Sequence, residues 1–243
     1  MGPKRFFAEG EIPERFELTG SEYNHLANVM RARAGQEIVV SNGDGTDCLC
    51  RIEEIGRKSV SLRVLSRTRN LCEAESDVTA FVGLLKGDNT ELEVQKLSEL
   101  GVRRVVPFVS ENTVARSDEK KIERFRRVAL ESAKQCGRAY VMKVEPAIPF
   151  AEIFKRQFDA LIFLCEFEEK RSLSDALAGV PKGSRVGFVV GSEGGFTRAE
   201  AELAERAGAR PATLGRRILR AETAAISAGA VVMYALGEME AAK

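Results

Sequence analysis

The sequence contains one histidine, His25, and five cysteines without any C-x-x-C spacing. Tetrahedral zinc sites and disulfide frameworks both need several such residues in a regular pattern, so we expect neither. A hydrolase that pairs a nucleophile with a histidine base would have to use His25, and no nucleophile elbow surrounds it. We therefore expect no bound metal and no histidine-dependent hydrolase.

Long apolar runs are also absent. No segment approaches the ~20 apolar residues that cross a membrane, and residues 1–7 lack the apolar core of a signal peptide. The 243 residues, 44% hydrophobic and 30% charged, are typical of a chain that buries a full core in one large or two small domains. We expect a cytoplasmic protein without a membrane partner.

Neither sign of charge predominates overall, since the net charge is +1. The distribution is uneven: between Lys96 and Lys143, twelve basic residues stand against six acidic ones. This segment fits a phosphate-facing surface or, equally, the solvated face of a helix.

The first third of the chain has a strand-and-turn pattern. Short runs rich in β-branched residues, at 37–40, 48–52 and 59–64, are separated by Asn-Gly and Asp-Gly turn signals. This pattern predicts a small, mainly antiparallel β domain with one helix near 21–30. The polar stretch 67–77 predicts a boundary near residue 72, which gives domains of residues 1–72 and 73–243.

The remainder alternates between predicted strands and helices, which favours an α/β fold with a mostly parallel sheet covered on both faces. The expected strands are 78–84, 102–106, 160–164, 185–190 and 212–214. The expected helices are 90–100, 120–136, a region around 151–156, 173–178, 198–207 and 222–236. The last helix is apolar nearly all round, so we expect it in the core or at a subunit interface.

A glycine loop, residues 191–195 (GSEGG), joins a predicted strand to a helix that opens with a Thr197-x-x-Glu200 capping box. It matches neither the G-x-G-x-x-G fingerprint nor a P-loop. Glu193 would repel a phosphate but suits hydroxyls, an ammonium group or a sulfonium, all of which S-adenosylmethionine carries. Taken alone, the loop fits a tight β-to-α turn equally well.

A second unusual stretch, residues 215–224 (GRRILRAETA), is called here the arginine segment. It lies between a short predicted strand and the apolar helix, at the carboxyl edge of the sheet, where ligands bind in such folds. A third predicted strand ends at Leu164 and continues into Cys165 and Glu166. We expect these three strand ends to converge on one pocket.

The glycine loop and the arginine segment resemble the cofactor motifs of the ribosomal RNA small subunit methyltransferase E family, uridine-N3 enzymes of the SPOUT superfamily. Similar matches occur at 5–7, 25–31, 86–88, 95–102 and 135–138, so the resemblance covers essentially the whole chain. Two departures are mild: Ser192 replaces the usual proline, and Met30 replaces the usual leucine.

The resemblance implies S-adenosylmethionine-dependent methylation of uridine N3 in 16S ribosomal RNA of the small subunit. It implies a small PUA-like β-barrel domain, a SPOUT domain with a trefoil knot, and a homodimer. Two alternatives stay open: a SPOUT enzyme acting on a ribose 2′-hydroxyl or on tRNA, and a non-catalytic RNA-binding factor in ribosome assembly.

Chemistry and motif position together suggest the site residues. Arg220 is the candidate for stabilising negative charge on the base, and Glu193 or Glu222 for accepting the proton. The expected cofactor-binding residues are Leu164, Glu166, Gly191, Glu193, Gly194, Gly195, Leu214, Gly215, Ile218, Leu219, Arg220, Thr223 and Ala224. The expected RNA-binding residues are Arg5, His25, Arg31, Arg33, Lys86, Arg116 and Arg138.

Overall fold

A computed structural model of the protein describes residues 4–240, which form two compact units. The first unit runs to Glu73 and also includes Ala133–Val141; the second consists of Ala74–Ser132 and the chain from Met142 onward. Residues 1–3 of the opening segment lie outside the described residues. Within the described range, every helix is too short or too polar to cross a bilayer.

The first unit is built on a five-stranded mixed sheet of order β1-β3-β4-β5-β2. Its strands are β1 (Arg5–Phe7), β2 (Arg15–Thr19), β3 (Glu37–Ser41), β4 (Thr46–Ile55) and β5 (Ser59–Arg69). All pairings are antiparallel except that of β1 with β3. The mainly antiparallel β unit is confirmed, whereas β1 and β2 at the sheet edges were not predicted, since each is short and lacks a flanking hairpin signal.

The core of this unit is apolar and includes Phe6, Leu26, Val40 and Leu62, all at most 1% exposed. The helix expected at 21–30 is interrupted: α1 (Gly20–Asn24) passes directly into a π-helical turn, His25–Val29. Such turns occur inside α-helices and break their regular hydrogen bonding.

The second unit is an α/β layer structure around a seven-stranded sheet of order β12-β10-β11-β6-β7-β8, with β9 also paired to β7. The strands are β6 (Asp77–Gly83), β7 (Arg104–Val109), β8 (Lys143–Val144), β9 (Ile148–Pro149), β10 (Ala160–Leu164), β11 (Arg185–Val190) and β12 (Arg210–Ala212). All pairings are parallel, which confirms the predicted sheet.

The helices of this unit are α2 (Asn89–Glu99), α3 (Glu119–Cys136, whose end belongs to the first unit), a 3-10 helix (Phe150–Lys155), α4 (Leu173–Leu177), α5 (Arg198–Arg206) and α6 (Ala221–Ala235). They agree with the predicted helices to within a residue or two. The strand expected at 212–214 lies two residues earlier, at Arg210–Ala212, and Thr213 bridges to Ser172 instead of extending the pairing with β10.

The two parallel helices α2 and α6 pack closely because α6 presents a glycine to its neighbour. A Cβ added at Gly229 would lie 2.6 Å from a Leu97 methyl carbon, so a larger residue there would force the buried Leu97 side chain to shift. One side of α6 is buried, whereas Val231 is 37% and Tyr234 75% exposed on the described surface. The structure thus divides the predicted all-round apolar surface into a core side and an open side.

Candidate functional site

The candidate site lies at the carboxyl edge of the second unit's sheet, where β11 pairs with β6. After β6 the chain goes to β7 on one side of the sheet, and after β11 it goes to β12 on the other. Such a switch in direction opens a crevice outside the strand ends, which is where α/β sheets bind ligands. Because β10 and β12 are the next strands along, the three strand ends predicted to converge do share this edge.

The glycine loop is packed too tightly for side chains at several positions. A Cβ at Gly194 would lie 2.7 Å from Asn112 Cβ and 2.8 Å from the Asn112 carbonyl oxygen. Gly195 has φ +62° and sits against the Glu166 carboxylate. Phe196 anchors the end of the loop: it is 3% exposed, and its ring centroid lies 4.6 Å from that of Phe163. Protein contacts therefore account for these glycines without a ligand.

Neighbouring loops hold the glycine loop in place from two sides. The backbone N–H of Lys86, after β6, donates to the Glu193 carboxylate at 2.9 Å. The side-chain amide of Asn112, after β7, donates to the Gly194 carbonyl at 3.0 Å. The predicted capping box is confirmed, since Thr197 and Glu200 exchange hydrogen bonds at the start of α5. The loop is thus fixed at both ends and in its middle.

The arginine segment forms the other wall of the candidate site. Gly215 has φ +105°, a backbone conformation that favours glycine, and its N–H donates to the Thr213 hydroxyl. Ile218 is 96% exposed, an unusual position for a large apolar side chain. Arg220 is the exposed residue that precedes α6, and Glu222 lies half-buried in the first turn of that helix.

The remaining predicted cofactor residues occupy the same edge. Leu164 ends β10, and Glu166 follows it; Leu214 comes two residues after β12. Thr223 and Ala224 belong to the first turns of α6, and Leu219 is half-buried just before it. The structure therefore brings the predicted set to one side of the sheet, while their individual roles remain predictions.

One buried carboxyl group at this edge was not predicted as part of the site. Glu93 on α2 is 1% exposed, and among the described residues its Oε2 has no hydrogen-bond partner. Burial, together with the nearby carboxylates of Glu222 and Glu193, raises the pKa of Glu93 well above its usual range. The sequence did carry a signal, because Glu93 shares helical spacing with the buried Thr90 and Leu97.

With this geometry described, comparison with known proteins identifies the family. The RNA methyltransferase domain family matches residues 72–233, and the RNA methyltransferase PUA domain family matches residues 18–65. Ribosomal RNA small subunit methyltransferase E of Bacillus subtilis (strain 168) is 34% identical over 229 residues, covering 90% of each chain. The chain belongs to the ribosomal RNA small subunit methyltransferase E family.

Other members of the methyltransferase E family agree over nearly the full length. The protein of that name from Rickettsia conorii is 28% identical over 236 residues, covering 96% of each chain. A crystal structure of the Neisseria gonorrhoeae ribosomal RNA small subunit methyltransferase E, bound to S-adenosyl methionine, has a TM-score of 0.87 at 25% identity. It covers 96% of this chain and 98% of its own. The two units thus correspond to a PUA-like domain and a SPOUT-type methyltransferase domain.

The structure separates the predicted RNA-binding residues of this family member into two groups. Arg31, Arg33, Lys86 and Arg116 are exposed, and His25 is half-buried with its ring centroid 5.7 Å from that of Phe6.

Two arginines of the set are engaged internally. Arg5 pairs with Asp47, and its side chain is 10% exposed. Arg138 is 3% exposed and binds the Glu73 carboxylate at 3.0 Å. The buried placement of Arg5 and Arg138 favours a structural role rather than the expected contact with phosphate. The sequence alone does not distinguish an arginine that forms a buried ion pair from one that contacts phosphate, because the acidic partner is distant along the chain.

Proposed function

We propose that this protein transfers a methyl group from S-adenosylmethionine to N3 of a specific uridine in 16S ribosomal RNA of the small subunit. The observation that carries the proposal is the strand order: the glycine loop with Glu193 follows β11 and the arginine segment with Arg220 and Glu222 follows β12, at the same carboxyl edge of the parallel sheet. Relatives of that name, one of them crystallised with S-adenosyl methionine, support the same cofactor and the same class of RNA.

The residues at this carboxyl edge fit S-adenosylmethionine chemically. The carboxylates of Glu166 and Glu193 suit its ammonium group and ribose hydroxyls, and the backbone amides of the glycine loop suit further polar atoms. Ile218 and Leu219 offer apolar surface for the adenine, and covering Ile218 would remove a large exposed side chain from water. When bound, S-adenosylmethionine supplies an electrophilic methyl group on a sulfonium.

Uridine N3 carries a proton and becomes a good nucleophile only when that proton leaves. Glu222 and Glu193 are the candidate acceptors; one carboxylate oxygen of Glu193 already accepts the Lys86 N–H at 2.9 Å. Arg220 suits the negative charge that develops on the base, because no other described residue forms an ion pair or hydrogen bond with its guanidinium. Positioning alone can contribute ~7 kcal/mol or more to such a transfer.

Residues 1–72 are the proposed RNA-binding domain and residues 73–243 the proposed catalytic domain; the first unit of the structure contains the former and also Ala133–Val141. Exposed Arg31 and Arg33 would contact phosphates there, as would Lys86 and Arg116 in the catalytic domain. His25 remains a candidate contact. The chain would act in the cytoplasm, where ribosomal RNA is modified.

The family also implies a trefoil knot and a homodimer. The open side of α6, with Val231 and Tyr234 exposed, supports a subunit interface at this helix.

Nucleoside mass spectrometry tests the reaction itself. Small-subunit RNA treated with enzyme and isotopically labelled S-adenosylmethionine should yield labelled N3-methyluridine. A ribose-methylated nucleoside, or labelling of tRNA alone, would support the other SPOUT activities. RNA binding without any calorimetric heat from S-adenosylmethionine would support the non-catalytic factor.

Single-turnover kinetics test the role of Arg220. Arg220→Ala should slow methyl transfer by about 100-fold, comparable with the loss of one charge-stabilising group, while S-adenosylmethionine still binds. Arg216→Ala, a neighbouring exposed arginine in the same segment, is the matched control and should stay within about threefold of wild type. Near-normal transfer by Arg220→Ala would reject its assignment.

A further inference from the structure

A cavity of about 740 Å³ lies at the amino edge of the second unit's sheet, opposite the glycine loop. It is lined by the first residues of four neighbouring strands: Asp77 of β6, Arg185 of β11, Ala160 of β10 and Arg210 of β12. Along β11, Arg185 at the cavity and Val190 before the glycine loop are about 17 Å apart. The cavity is therefore separate from the candidate methyl-transfer site, and its volume falls in the range of small-molecule sites.

Three arginines line this amino-edge cavity, and their charges are incompletely compensated. The exposed guanidinium of Arg185 forms no hydrogen bond or ion pair with another described residue. Arg210 donates to a backbone carbonyl at 3.0 Å, which leaves its charge uncompensated. Arg156 binds Glu145 at 2.8 Å, but Glu145 also binds Arg104 at 3.1 Å, so one carboxylate serves two guanidinium groups. Guanidinium groups with free N–H donors are suited to phosphate.

Two carboxylates also line the cavity, and they differ in what they bind. Asp159 accepts the backbone N–H of Arg185 at 2.7 Å. Asp77 is paired in register with Arg185, yet the two side chains form no ion pair, and the buried Asp77 Oδ1 has no donor among the described residues. A carboxylate without a donor is unfavourable in such a place, so Asp77 is suited to accept N–H groups from a ligand.

An aromatic ring completes the lining. Phe158 is half-buried at the cavity, and its ring meets that of Phe81 edge-on at 5.7 Å between centroids. Aromatic side chains of this kind stack on nucleobases without regard to their sequence. The cavity thus combines cationic groups, an unpartnered acceptor and an aromatic surface.

We propose that the amino-edge cavity binds a nucleotide, with its phosphate on the arginines and the N–H edge of its base on Asp77. A phosphate alone would match the arginines but would be repelled by Asp77, and a cationic ligand would have the opposite difficulty. A nucleotide carries an anion, N–H donors and a flat ring together. Nucleotides of RNA and free mononucleotides share this chemistry, and the inference does not depend on which nucleoside is methylated.

Three variants separate the parts of this site. Arg185→Ala removes the unpaired guanidinium, and Asp77→Asn removes the charge of the carboxylate while keeping its shape. Arg206→Ala is the matched control, because Arg206 is an exposed arginine on α5 that pairs with Glu202 outside the cavity lining. The probes are guanosine 5′-monophosphate, whose base presents adjacent N–H donors, ribose 5-phosphate, which lacks a base, and a fragment of small-subunit ribosomal RNA.

Calorimetry with the two small probes tests the assignment of each group. Wild type should bind guanosine 5′-monophosphate about tenfold more tightly than ribose 5-phosphate. Arg185→Ala should weaken both by about tenfold, whereas Asp77→Asn should weaken only the nucleotide, also by about tenfold. Arg206→Ala should bind both as wild type does. Affinity for S-adenosylmethionine should stay within about twofold in every variant, which also checks that each one folds.

Filter binding of the RNA fragment identifies the source of the nucleotide. Loss of RNA affinity in both Arg185→Ala and Asp77→Asn, with competition by guanosine 5′-monophosphate, assigns the cavity to RNA. Nucleotide binding without any change in RNA affinity assigns it to a free mononucleotide.

Three results would overturn the site. One is a wild type that binds no guanosine 5′-monophosphate at millimolar concentration, with unchanged RNA affinity in both variants. Another is an Arg206→Ala variant that matches Arg185→Ala. A loss confined to Arg185→Ala, with Asp77→Asn unchanged, would replace the nucleotide site by a bare phosphate contact. Methylation by wild type is assayed separately, so failure of the proposed function would leave each of these results readable.

Discussion

Gly83, at the end of β6, touches the backbone of the glycine loop and offers the sharpest test of that loop's role. A Cβ placed there would lie 2.3 Å from the Ser192 backbone nitrogen and 2.8 Å from the Gly191 carbonyl carbon. Ordinary contacts of this kind are about 3.5 Å. In Gly83→Ala the loop must therefore retreat by about 1 Å, because both clashing atoms are backbone and no side chain can rotate away.

The expected cost of this shift divides between folding and binding. Overpacking of a buried site typically lowers the free energy of unfolding by about 1–3 kcal/mol. A displacement of about 1 Å in a binding loop can cost about 100-fold in function. We therefore expect Gly83→Ala to remain folded and to bind S-adenosylmethionine about 10- to 100-fold more weakly, as measured by calorimetry alongside urea unfolding.

Gly187→Ala is the matched control, since it makes the same substitution in the neighbouring strand β11. Its Cβ would lie 2.7 Å from a Leu161 methyl carbon and 3.2 Å from the Phe158 ring, side chains that can move. This variant should lose stability while keeping cofactor affinity within about twofold of wild type. If Gly83→Ala binds S-adenosylmethionine as tightly as wild type, the glycine loop is not part of the cofactor site. Equal weakening in both variants would indicate general destabilisation instead.

Four further outcomes follow from the structure. Thr197→Ala removes the cap of α5 and should lower the unfolding free energy by about 1 kcal/mol in urea; unchanged stability would mean that the cap contributes nothing. Arg31→Ala should weaken RNA binding and reduce the slope of its salt dependence by the amount expected for about one phosphate contact. A parallel loss of cofactor affinity would contradict a separate RNA-binding role. If the exposed side of α6 forms the proposed subunit interface, Tyr234→Asp should shift sedimentation from dimer to monomer, while Leu71→Asp, at an 86% exposed apolar residue, should not. Glu93→Met removes a carboxyl group whose pKa is raised in the folded protein. Wild type therefore loses stability as the pH rises from the pKa of that group in the unfolded chain towards its pKa in the folded protein. The Met variant should therefore gain thermal stability over wild type from pH 5 to pH 8, and a constant difference would refute the buried neutral acid.

The strands and helices were largely predictable because their patterns are local. β10 and β11 have the predicted bounds, since each is a short buried run that ends in a sharp change of composition. The end of β12 at Ala212 was not predictable, because the next residue, Thr213, pairs with Ser172, which is distant along the chain. For the same reason, the sequence could not show that Ala133–Val141, the end of α3 and its following loop, pack with the first unit.

The candidate site shows the same division between local and distant information. The capping box of Thr197 and Glu200 is a four-residue signal and was predicted correctly. Asn112, whose amide holds the glycine loop, carries no motif of its own, and its contact with Gly194 depends on loops that are 82 positions apart. Contacts of this kind need the fold before they can be identified.

The glycine loop has a different physical explanation from the one its composition first suggests. Open glycines next to a ligand would leave empty space around the backbone, yet Gly194 and Gly195 lie against Asn112 and Glu166. Their function is to let three loops pack together, which fixes the backbone amides and the Glu193 carboxylate before any ligand arrives. Preorganised polar groups stabilise developing charge without reorganising during the reaction. A loop rigid for this reason should tolerate no added side chain, even at positions that a bound cofactor never touches.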